Sequence, residues 1–368
     1  MIKYPFEIFE LEKVEIYPFE RFAYNALTAG VQTLKSKNLP HDLTVNLTEN
    51  KGFHLDVYVA IKYDLEPYRF EIITNVYTPP ILVGICHVFG KSLYPSDKFD
   101  ALLNDNNGYY KLLFDFGTAL NHARKESHDD CGKFSTLLFE KIGLGIHNIS
   151  EISHYYDLCS KMITYHEVAH AYIGQLSSGT HTPLENRAFE IIADLTAMTW
   201  FYRKMIVGTP DSAEYRKLRG TSTHEESLVV NTIDCLNAIN LMLTYFGLAN
   251  AFMKKGQVTL EGGKHHPHSF FRCFIQNIHL STLVQSNYNF ASKDLEIVDA
   301  IWSNYTQLLF KNGFISTDDF TKKQCVKFVE ELNLIPGLVE EYDIMELKNF
   351  VPAIDGITDV LLNMQLPE

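Results

Sequence analysis

Two histidines four residues apart, with a glutamate after the first, are the residues best equipped for chemistry in this chain: His166-Glu167-Val168-Ala169-His170. On an α-helix, positions i and i+4 stand one above the other on one face, so both imidazoles can aim a ring nitrogen at a common point. Glu167 can reach a water at that point without ligating the metal itself. The pattern is H-E-x-x-H, two zinc ligands and a general base. A catalytic zinc usually takes three protein ligands and keeps a fourth position open. The candidate third ligand is Glu190, in Glu190-Ile-Ile-Ala-Asp194 one loop downstream. Asp194, again four residues on, can accept a hydrogen bond from the distal nitrogen of a ligand histidine, which fixes ring orientation and tautomer.

Helices have to position these groups. Ile152, Tyr155, Leu158, Met162, Tyr165, Ala169 and Tyr172 recur at threes and fours, which predicts a helix over 151–175 with Ser150 as its cap. The polar run 176–183 ends it. Pro183 suits a first helical position and predicts a second helix to about Met205. A short loop predicts antiparallel packing, which turns Glu190 toward the two histidines. Unpaired imidazoles and a carboxylate would be costly to bury in such apolar helices, which favours a bound metal over chance spacing.

The segment 151–203 resembles the active-site and glutamate helices of gluzincin metallopeptidases. The resemblance implies zinc ligands His166, His170 and Glu190, Glu167 as the base and a zincin-like active-site helix. Downstream, His266-Pro-His-Ser-Phe-Phe-Arg272 is similar to the H-P-x-x-x-x-R string of the prenyl-peptidase and heat-shock-type membrane metallopeptidases. Those enzymes carry transmembrane helices and a longer gap between motifs, which this chain lacks. The likeness implies that His266 lies near the metal and stabilises an oxyanion; His268 is the neighbouring candidate. Arg272, one helical turn beyond His268, is a candidate to anchor Asp194 or a substrate carboxylate. The plainer readings are an exposed basic loop over 264–268 and an ordinary surface arginine. Tyr165, Tyr172 and His181 are further candidates for the wall of a site. Size and motif position also resemble the phage-exclusion peptidase family, which implies a bacterial or phage-defence protease.

The chain has 368 residues, of which 46% are hydrophobic and 21% charged, a balance that predicts a folded globular protein with an ample core. Asp and Glu outnumber Lys and Arg 45 to 32, a net charge of −13. That argues against nonspecific binding to nucleic acid or to anionic membranes, which needs a basic surface. The six cysteines are scattered without a C-x-x-C, which predicts reduced thiols and a cytoplasmic setting. No signal-peptide core follows Met1, and Asn231, Asp234, Asn237 and Asn240 interrupt the most apolar stretch, 228–253, so a buried helix is expected there and no membrane span.

The expected fold class is α+β, with a mixed sheet plus helices in the N-terminal part and a mostly helical C-terminal part. Residues 1–120 form the expected α/β subdomain, 121–286 the catalytic core and 287–368 a helical C-terminal subdomain. Strands are expected at 43–47, 54–63, 68–76 and 81–88, a helix at 22–35, and polar connectors at 121–133 and 208–226. From 224 onward, helices are expected near 225–255, 267–286, 292–312, 316–334 and 338–363. The expected function is zinc-dependent hydrolysis of peptide bonds in a protein or peptide substrate. The alternatives are a catalytically silent zinc-binding regulatory protein and a zinc amidohydrolase acting on a small substrate. Oligomeric state is not encoded in any motif.

Overall fold

A computed structural model describes residues 42–43, 57–62, 69–75, 77–90, 108–144, 149–173, 181–253, 266–287 and 322–363. The expected helices at 22–35 and 292–312 lie outside them. Two compact units divide the chain, Met1–Tyr172 and Ile173–Glu368.

Among the described residues of the first unit, strand is confined to β1 (Asp42–Leu43), β2 (Val57–Lys62) and β3 (Arg69–Thr74). Their order is β1-β3-β2, with β2 antiparallel to β3 from Val57↔Thr74 to Lys62↔Arg69, and β1 parallel to β3. The other described elements of the unit are helices: α1 (Thr78–Phe89), α2 (Gly108–Ser127), α3 (Cys131–Lys141) and α4 (Ile149–Tyr172). The α+β class with a mixed sheet is therefore corrected, because the described residues are helical in the great majority.

The clearest reversal is 81–88, expected as a strand and found inside α1. A short continuous apolar run reads equally as a buried strand or a buried helix. Here Pro79 and Pro80 occupy the first helical turn, where a missing N–H costs nothing, and Ile81, Leu82, Ile85 and Cys86 are fully buried. The supposed connector 121–133 is likewise the end of α2 and the start of α3, separated by a turn with His128 and Asp129 at positive φ. Asp130 caps α3 by accepting from the Lys133 N–H at 2.9 Å.

Aromatic rings join these helices. Phe89 meets Phe116 edge-on at 5.9 Å, and Tyr77 meets Phe134 at 5.0 Å. Gly84 lets α1 approach the Phe116 ring, since a Cβ there would lie 2.9 Å from it. The α4 helix, which carries H-E-x-x-H, packs on α1 and on β2 and β3. Its buried face includes Tyr156, Leu158, Cys159, Val168 and Ala169. Ser150, expected as its cap, lies one residue inside it.

The second unit begins with α5 (Pro183–Tyr202), continued by a π-turn at Arg203–Val207. Thr182 opens α5 with a capping box: its hydroxyl accepts from the Glu185 N–H at 3.2 Å, and the Glu185 carboxylate accepts from the Thr182 N–H at 2.7 Å. Such a cap is worth about 1 kcal/mol. From Ala188 to Thr199 every residue of α5 is buried, so the helix runs through the core and not along a surface.

Then come α6 (Ala213–Arg219), α7 (His224–Met253), α8 (Ser269–Asn287), α9 (Lys322–Glu341) and α10 (Val351–Asn363). The α6 helix falls within the expected connector 208–226; Gly220 closes it at φ +68°, a left-handed position that favours glycine. The α9 helix continues through Pro336, across the expected break between 334 and 338. A proline inside a helix costs about 3 kcal/mol, offset here by burial of Leu332, Ile335, Leu338 and Val339. The α5 helix packs against α8 and α9, α8 against α7, and α9 against α10. Among the described residues, no helix is long and apolar enough to cross a membrane.

Candidate metal centre

His166 and His170 sit on successive turns of α4, and their Nε2 atoms approach to 3.1 Å with the rings nearly perpendicular at 87°. A tetrahedral zinc about 2.05 Å from each nitrogen would place the two about 3.3 Å apart. The two rings thus converge as a chelating pair, which follows from the i,i+4 spacing alone. Glu167 is 7% exposed, so its carboxylate is held out of bulk water beside the first histidine.

Glu190 belongs to the core helix α5 and is 8% exposed. One ligand atom from each of His166, His170 and Glu190 lies within 4.8 Å of the others, so these residues form a group able to hold a metal ion. The donor chemistry fits. Two imidazoles and a carboxylate make a nitrogen–oxygen set with room for a fourth ligand.

Around Glu190, α8 and the residues before it supply two cations or donors. His266 Nδ1 lies 3.1 Å from Glu190 Oε2, and Arg272 Nη2 lies 3.4 Å from the same oxygen. Arg272 also donates from Nε to Asp194 Oδ2 at 2.7 Å and from Nη2 to Asp194 Oδ1 at 2.8 Å. Asp194 therefore gives both oxygens to an arginine fork, an arrangement suited to carboxylate geometry. The sequence expectation for Asp194 was a histidine partner, and that for Arg272 included Asp194. Burial disfavours the charge on Arg272, but Asp194 first and then Glu190 outweigh it and hold the guanidinium well above its ordinary pKa. A charge buried this deeply is tolerated because it is paired and hydrogen-bonded.

His266 is exposed, with its side chain 59% accessible. His268 is buried, and its Nδ1 accepts from the Phe270 N–H at 3.2 Å at the start of α8. A neutral ring accepting at Nδ1 carries its proton on Nε2. Tyr165 and Tyr172 are buried on α4, and burial, then the charge of Asp157, pushes the Tyr165 hydroxyl up to about 12, so it stays protonated at neutral pH. His181 lies edge-on to Phe189 at 4.8 Å.

Sequence reading passed over Arg187 and Glu331. They form an ion pair at 2.6 Å between α5 and α9, with the Glu331 side chain only 2% exposed. Burial pushes the Glu331 carboxyl up to about 6, although Arg187 works in the opposite direction. Their partnership has no local signal, because each reads alone as a helix-surface charge.

No model of a known protein family matches this chain, and neither a curated protein nor a solved structure does.

Proposed function

We propose that this protein is a zinc-dependent endopeptidase acting on a protein or peptide substrate, in the cytoplasm. The observation that carries the reading is the convergence of His166, His170 and Glu190 as a metal-holding group with a buried carboxylate, Glu167, beside the first histidine. Zinc held there would supply a positive charge that polarises a carbonyl and lowers the pKa of water toward about 7.

The rest of the chemistry falls to the side chains. Glu167 takes the proton of the attacking water on its carboxylate and returns it to the leaving amine nitrogen. His266, whose Nδ1 lies 3.1 Å from Glu190 Oε2, would donate a hydrogen bond from its other ring nitrogen to an oxyanion. Arg272 and Asp194 keep Glu190 oriented. Two His and one Glu leave a position open, which favours a catalytic over a purely structural ion.

The test compares new protein termini across the proteome in cells carrying the wild type or Glu167→Gln, with metal content measured on both purified proteins. Termini that appear with the wild type alone, at equal zinc content, support the reading and identify the substrate. Identical termini, or wild-type protein without stoichiometric zinc, sink it.

A further inference from the structure

Arg187, Glu190 and Asp194 occupy positions i−3, i and i+4 of α5, so the three lie along one stripe of the helix. The carboxylate of the metal-holding group is thus flanked, one turn before and one turn after, by a charged side chain. A different helix holds each flank. Asp194 takes the Arg272 fork from α8, at 2.7 and 2.8 Å. Arg187 pairs with Glu331 of α9, with Nε and Oε1 2.6 Å apart.

The two pins belong to one frame. Phe271, the residue before Arg272, stacks on Phe328 at 4.6 Å with the planes 14° apart. Phe328 stands one turn before Glu331 on α9. Tyr342, just past the end of α9, meets Phe189 edge-on at 5.4 Å, beside Glu190. A helix pinned at one point of a stripe can still turn about its axis elsewhere. Arg187 and Asp194 are about 10 Å apart along the axis. Held at both, α5 can neither turn nor slide between them without breaking a pin.

The pair at Arg187 is buried, with the Glu331 side chain 2% and the Arg187 side chain 12% accessible. Burial pushes the Glu331 carboxyl up to about 6, while Arg187 and then Lys327 favour its ionised form. It therefore carries its charge at neutral pH. A buried pair adds little net stability over apolar residues of the same shape, and its best use is to select one arrangement. Apolar packing alone would hold α5 against α9 without choosing how α5 is rotated.

We propose that Glu331 is a positioning residue for the metal centre: through Arg187 it sets the rotation of α5 at the turn that carries Glu190. The proposal rests on the metal-binding reading of His166, His170 and Glu190 and not on peptidase activity.

The test loads the full chain with cobalt(II), whose visible d–d bands report the geometry of its ligands, and measures affinity by competition with a chelator. Glu331→Gln should weaken cobalt binding about three- to tenfold, less than the 10- to 100-fold of residues that touch a ligand, and should change the bands. The double variant Arg187→Met with Glu331→Leu separates position from stability. An apolar pair should unfold at or above the wild-type temperature, yet its bands and affinity should still differ from those of wild type. That variant also carries the test if Glu331→Gln fails to fold. Wild-type bands and affinity in the double variant overturn the proposal and leave the metal reading standing. A wild type that binds no cobalt defeats the metal reading and the proposal with it.

Discussion

Arg272 closes a fork on Asp194, 78 residues away in sequence, with Nε and Nη2 each against one carboxylate oxygen at 2.7 and 2.8 Å. Both side chains are buried, and the same Nη2 lies 3.4 Å from Glu190. One arginine thus holds two carboxylates of α5 in place. Removing one partner of such a pair leaves an uncompensated buried charge, at a cost of about 3–5 kcal/mol. Arg272→Met should lose stability of that order in urea unfolding, and Arg272→Lys should recover only part of it, because a lysine cannot form the fork. Metal affinity should fall about 10- to 100-fold in Arg272→Lys, as for other residues that orient a ligand. A variant with unchanged unfolding midpoint and unchanged zinc affinity would count against this role.

Zinc should stabilise the folded protein by mass action. At a free concentration 100 times the dissociation constant the gain is about 2.7 kcal/mol. The wild type should unfold at a higher temperature with zinc than with a chelator. His166→Ala, His170→Ala and Glu190→Ala should each lose most of that difference, since each removes one donor of the group. Glu167→Gln should keep it. If Glu167→Gln lost zinc as completely as His170→Ala, Glu167 would be a ligand and not a base.

His279 makes stability depend on acid. Its ring is buried, its Nε2 lies 2.7 Å from Thr199 Oγ1, and it packs edge-on against Phe350 at 4.5 Å. Burial lowers its pKa from 6.5 to about 3, with the nearby Leu195 backbone acting weakly the other way. In the unfolded chain the ring protonates below about 6.5, while the folded chain keeps it neutral. Its contribution is therefore complete above about 6.5 and is lost progressively as the pH falls toward about 3. Urea midpoints taken at pH 7.5, 6.0 and 5.0 should drop, and the drop should be shallower in His279→Gln. Parallel pH profiles would rule out this source of acid sensitivity.

Gly84 and Gly117 should respond in opposite ways to alanine. A Cβ on Gly84 would lie 2.9 Å from Phe116 Cε2 and 3.3 Å from Ile142 Cδ1, in a core where Phe116 is 1% exposed. Overpacking of this kind costs about 1–3 kcal/mol. A Cβ on Gly117 meets nothing within 4 Å, and replacing a glycine inside a helix by alanine gains about 0.5–1 kcal/mol. Thermal unfolding of the two single variants checks both signs.

What the sequence determined by itself is what a helix decides locally. The four-residue spacing of His166 and His170 is enough to bring their ring nitrogens together, because each turn of helix stacks i on i+4. The same holds for Glu190 and Asp194 on one face, and for the start of α5 at Pro183. Residues 81–88 were ambiguous for the converse reason: an apolar run too short to show a period has no local rule to choose between strand and helix, and burial on every side within α1 chose helix. The proline at 336 was overruled in the same way, by the apolar residues that α9 buries on either side of it. Only the tertiary structure decided that Asp194 takes Arg272 and that Glu331 takes Arg187. Partners that distant in sequence are chosen by how helices pack, since a charge on a helix surface carries no local record of what will be laid against it.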